Sequence, residues 1–108
     1  MAILTAGYTA NQTNTELVAA MAGKLIRVLR VLVTFESAGT IKLISAPGLA
    51  EAADVTPLLY LGAAGLLHLD LPREQALTAA RGKALGFTSS IAAAGKGQGI
   101  MIWYELVD

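Results

Sequence analysis

The stretch "GKLIRVLRVLVTF", residues 23–35, constrains the fold more than any other part of the chain. Apolar side chains crowd it, and the cations Lys24, Arg27 and Arg30 punctuate it. A membrane span needs roughly 18 uninterrupted apolar residues, and each cation costs on the order of 2.5–3.5 kcal/mol at mid-bilayer, so that option fails. A helix has some support. Met21, Leu25, Val28, Leu29 and Leu32 fall at spacings of three and four, and Asn14 or Thr15 can cap a helix beginning near Glu16. Against it stand Gly23 inside the pattern and the crowding of Ile26, Val28, Val31, Val33 and Thr34, whose stiff χ1 angles favour a pleated surface.

As a strand, the run places Leu25, Arg27, Leu29, Val31, Val33 and Phe35 on one face and Ile26, Val28, Arg30, Leu32 and Thr34 on the other. Both faces are largely apolar. Such a strand packs one face in its own core and turns the other to a second sheet or a neighbouring subunit. Arg27 and Arg30 then point to opposite faces, where an unpaired buried guanidinium is costly. Either one reaches a carboxylate or a neighbour's carbonyls, or both lay their stems on apolar surface with the heads in water.

The remaining sequence continues the extended pattern. "TIKLISA" after "ESAG" makes residues 24–46 read as a hairpin, with Gly39 in the turn. "PLLYL" and "LLHLD" flank "GAAG" at 62–65 and read as a second hairpin, with glycines where positive φ is needed. "KALGFTSS" and "GIMIWYELV" add two strands around "AAAGKGQG", and "TELVAA" reads as an edge strand. Residues 48–56 read as a loop with one helical turn, and 71–83 as a short helix between Pro72 and Gly82. The fold class expected is all-β: an antiparallel β-sandwich or jelly-roll-like single domain of six to eight short strands over residues 15–108. Residues 1–14, polar and without a clear period, are expected to form a frayed terminus or an extended arm that orders only against another subunit.

Composition narrows the classes of function. Eight cations balance eight acids, so the basic excess that phosphate neutralisation requires is missing and no nucleic-acid partner is expected. The absence of cysteine removes disulfides and thiolate chemistry. No apolar run reaches membrane-spanning length, so no membrane is expected as a partner. At 55% apolar and 15% charged, the chain has so few charges that some apolar surface is expected against a partner chain.

Chemical signatures are weak. His68 and Asp70, two apart in "LLHLDL", share a strand face and suit a polar stripe better than catalysis or metal binding, because spacing suggests no nucleophile or third ligand. "GKGQG" at 95–99 lacks the order and context of a phosphate loop and reads as a flexible hairpin connection. Trp103 and Tyr104 alternate faces in the last strand, one towards the core and one towards a rim or interface. No catalytic residue, cofactor or metal is expected. The candidate interface residues are Arg27, Leu29, Arg30 and Val31 in the opening strand and Trp103 and Tyr104 in the last.

Several stretches together, "AGKLIRVLRVLV" at 22–33, "AGTIKLIS" at 38–45, "LLYLGAAGLLHLDLP" at 58–72, "AARGKALGF" at 79–87 and "GKGQGIMIWYELV" at 95–107, carry a resemblance. The chain resembles small tailed-phage structural proteins, chiefly capsid decoration or cement proteins. That resemblance implies a sandwich or jelly-roll domain, a homotrimer, a non-enzymatic role on the capsid surface of the virion, and the major capsid protein as partner. The alternative is a carbohydrate- or receptor-binding module of a tail or head fibre, using Trp103 and Tyr104. A small enzyme using His68 and Asp70 is the third reading.

Overall fold

The computed structural model describes residues 2–108 and consists of two antiparallel sheets with one core between them. The strands are β1 (Ala2–Tyr8), β2 (Gln12–Val18), β3 (Leu25–Phe35), β4 (Gly39–Ser45), β5 (Ala53–Asp54), β6 (Leu59–Leu61), β7 (Gly65–Asp70), β8 (Leu77–Thr78), β9 (Leu85–Ile91) and β10 (Gln98–Val107). The first sheet runs β1-β10-β3-β7, with β8 continuing the β7 edge alongside β3. The second runs β2-β9-β4, with β5 and β6 sharing the far edge of β4. Counting β5 with β6 and β7 with β8 as two broken strands leaves eight positions whose order is that of a jelly roll. The expected all-β sandwich is therefore present.

The chain reaches it differently from the hairpins read in the sequence. β3 and β4 lie in different sheets, as do β6 and β7, and β9 and β10. Each supposed hairpin is a crossing between sheets, because both partners carry an apolar face that must meet the common core. The Leu61–Gly65 turn shows the consequence. Its left-handed residue is Ala64, at φ 54°, and neither glycine has positive φ. Gly65 is needed for space, since a Cβ there would lie 2.6 Å from the Gly62 carbonyl oxygen.

Two further expectations are corrected. The segment read as an arm, residues 1–14, holds β1, paired with β10 without interruption from Ala2–Tyr104 to Tyr8–Gln98, and the start of β2 at Gln12, so the domain does not begin at residue 15; Met1 lies outside the described residues. Leu4, Ala6 and Tyr8 point inward at period two, and the Tyr8 ring packs against Phe87 with centroids 5.3 Å apart. The helix read over 71–83 is a single 3-10 turn at Arg73–Gln75 followed by β8. Leu77 and Ala79 face the core while Thr78 and Ala80 are exposed, a period of two that the alanine-rich composition concealed. "TELVAA" does contribute an edge strand, as part of β2.

The core consists of Ile26, Val28, Val31, Val33, Phe35, Ile100 and Ile102 from the first sheet and Ile41, Leu43, Leu85, Phe87 and Ile91 from the second. Inward residues of β3 keep strict alternation only up to Val28 and again from Val31. Between them the strand bulges: Arg30 faces Trp103 and Val28 faces Tyr104, so Leu29 is an extra residue without a partner on β10. The bulge resets the phase of the strand and decides where its arginines go.

Candidate interaction face

Because Leu29 is inserted, Arg27 and Arg30 project from the same outer face of the first sheet, where an unbroken strand would separate them. Arg27 lies opposite Glu105 in the ladder and donates from Nη1 to Glu105 Oε1 at 3.0 Å. Arg73, carried in by the 3-10 turn, donates to the same carboxylate from Nε at 3.1 Å and from Nη2 at 3.4 Å. Arg73 is the main reason the Glu105 carboxyl titrates below its ordinary range; partial burial opposes this, and Arg27 adds to the lowering. One carboxylate, 18% exposed, thus organises two guanidinium groups. Of the two alternatives for the arginines, carboxylate pairing within the chain is the one observed.

Arg30 lies in the next row. Its Nη2 donates to Asp70 Oδ2 at 3.3 Å, and its guanidinium carbon sits 5.2 Å from the centre of the Trp103 ring. The ladder aligns these residues across the sheet as Ile3, Trp103, Arg30, Asp70, and the row beside it as Thr5, Met101, Leu32, His68. A third row reads Gly7, Gly99, Thr34, Leu66. Two glycines side by side leave a trough there. Ile3 and Leu66 are 59% and 63% exposed at opposite edges, and Leu32 and Met101 are half-buried between them. The surface is apolar at its centre and ionic along one margin.

The outer face of the second sheet differs. Its rows read Tyr60, Thr40, Ser90 and then Lys42, Thr88, with Lys42 paired to Asp54 at 3.1 Å. Ile44 is buried there, and the chain at Pro47 folds over Gly86, beside it in the ladder.

The candidate interface residues divide accordingly. Arg27, Arg30 and Trp103 stand on the outer face of the first sheet. Leu29 lines a hollow beside them. Val31, 2% exposed, and Tyr104, packed on the core, face inward, which corrects their reading as interface residues: the bulge keeps Val31 in phase with Val33, and Tyr104 follows Trp103 on the opposite face. His68 and Asp70 do share an outward face, and Asp70 is engaged by Arg30. At the glycine-rich loop the Gly97 N–H donates to Glu36 Oε1 at 2.8 Å, so a carboxylate occupies an amide that a phosphate would need. Among the described residues no group of His, Asp or Glu side chains is placed to hold a metal ion, and no helix is long and apolar enough to cross a membrane.

Sequence reasoning missed Glu105 and Asp70 as partners of Arg27 and Arg30, and Arg73 as a second cation on Glu105. Register brings in the two acids from β10 and β7, and the 3-10 turn brings in Arg73, 32 positions from Glu105. Comparison with family models, with curated proteins and with solved structures finds no match to this chain.

Proposed function

We propose that this chain is a non-enzymatic virion structural protein, a capsid decoration or cement protein that assembles as a trimer on a phage head and ties major capsid subunits together. One observation carries the reading: the outer face of the first sheet has an apolar centre around Met101 and Leu32 with Ile3 and Leu66 exposed beside it, whereas the second sheet sets Thr40, Ser90, Lys42 and Thr88 beside Tyr60. Burying an exposed aliphatic side chain such as Ile3 or Leu66 contributes roughly 1.5–3 kcal/mol, so a companion seated on Met101, Leu32, Leu66 and Ile3 gains a substantial association energy. The ionic margin of Arg27, Arg30, Asp70, Arg73 and Glu105 supplies orientation for such a contact. The motif resemblance agrees with this role.

Negative-stain images of the source particle with and without this chain test it. Regularly spaced surface features that vanish from heads lacking the chain support the reading, and identical heads sink it. A second reading, a carbohydrate- or receptor-binding module of a fibre, is favoured by a specific feature: the hollow of about 320 Å³ bordered by Trp103, Arg30 and Asp70.

A further inference from the structure

We propose that this half-open hollow, bordered by β3, β7, β10 and residues 71–73, binds a saccharide bearing a single carboxylate, of the uronic or sialic acid class. The inference rests on the carbohydrate-module reading. At about 320 Å³ the hollow lies at the lower end of the roughly 300–1,000 Å³ typical of ligand sites.

Its lining selects the ligand. Arg30 is held in place before any ligand arrives, by the Trp103 ring beneath it and by Asp70 at one N–H. Arg73 is held by the two-point contact of Nε and Nη2 with Glu105. Each guanidinium carries five N–H donors, and those not spent on Asp70 or Glu105 remain for a ligand carboxylate. Preorganised donors bind at low entropic cost. Arg27, Arg30 and Arg73 stand with Asp70 and Glu105 at this margin, three cations against two acids, a net charge of plus one that matches one carboxylate and falls short of a polyphosphate or nucleic acid.

Asp70 adds an acceptor for the hydroxyls that a saccharide ring carries, and its charge opposes any second carboxylate on the ligand. Trp103, Pro72, Leu71 and Leu29 supply the apolar surface on which the C–H groups of a sugar ring rest.

Trp103 is the only tryptophan, so intrinsic fluorescence reads the site directly. The intact protein is titrated with galacturonate and with sialyllactose, and with galactose and lactose as neutral controls. The expected result is a saturable change with one acidic saccharide at about 1 mM or below, at least about tenfold weaker for its neutral counterpart. Arg73→Gln weakens that response about tenfold with the β fold retained by circular dichroism, and Asp70→Asn weakens it as well. Which acid responds separates a uronate from a sialate. No response to either acid at about 10 mM overturns the proposal, as does tighter binding in Asp70→Asn. An equal response to neutral and acidic sugars keeps the carbohydrate module and removes the carboxylate assignment.

Discussion

On the first sheet the outward rows read Ile3, Trp103, Arg30, Asp70 and Thr5, Met101, Leu32, His68; on the second they read Tyr60, Thr40, Ser90 and Lys42, Thr88. The inner faces of the same sheets are alike in chemistry, chiefly Ile, Leu, Val and Phe, because both must fill one core. No such requirement acts on the outer faces. Hydroxyls and a lysine on the second sheet are what water asks of an exposed strand, whereas Leu32, Met101 and Leu66 on the first are what a companion surface asks. The contrast between the outer faces, more than the fold, supports the proposal of a partner.

The largest expected effect breaks that contrast with a charge. In Met101→Asp, self-association of the protein weakens by about 100-fold or more by analytical ultracentrifugation, because a carboxylate is left desolvated in the contact. Thr88→Asp, the matching change on the second sheet, leaves association unchanged. Should Thr88→Asp be the disruptive variant, the two faces have been assigned the wrong way round.

A pair of glycines sharpens the comparison at intermediate size. A Cβ at Gly86 would come within 2.5 Å of the Thr15 carbonyl oxygen and 2.7 Å of Pro47 Cγ, so Gly86→Ala costs about 1–3 kcal/mol in denaturant unfolding. Gly7 on the first sheet has only the Gln98 carbonyl oxygen nearby, at 3.8 Å, and Gly7→Ala stays within about 0.5 kcal/mol of the parent. Equal costs at the two positions would show that Pro47 does not press on the second sheet.

Acid titration gives a smaller effect confined to the first sheet. Arg73 and then Arg27 lower the Glu105 carboxyl below its ordinary value of 4.5, so the unfolded chain takes up this proton before the folded one does. The contribution of Glu105 is fully present above that value and fades as pH falls through the lowered folded-state value. In Glu105→Gln the stability-against-pH curve is flatter in that acid window, and an unchanged slope contradicts the two-arginine clamp. The smallest change is expected for Arg30→Gln, which loses an exposed ion pair and stacking on Trp103 worth together about 1 kcal/mol or less.

The parts of this architecture that period two controls were readable in advance. Ile41 and Leu43, Leu85 and Phe87, and Ile100 and Ile102 alternate in the sequence as they do in the core. Strand pairing was not readable, because a short turn between two apolar runs looks the same whether the second run pairs with the first or crosses to the other sheet. β1 escaped for a related reason: Leu4, Ala6 and Tyr8 alternate, but the glycine, threonines and asparagine around them read as loop. At the candidate site, the sequence showed the arginines and Trp103 but not their common face. That depends on the one-residue bulge at Leu29, which the opposing strand imposes and no local pattern records.

If companion copies cover the apolar face of the first sheet as proposed, light scattering on the purified chain at about 10 μM gives a particle of three times the chain mass that dissociates in Met101→Asp. A particle of one chain mass at that concentration contradicts it.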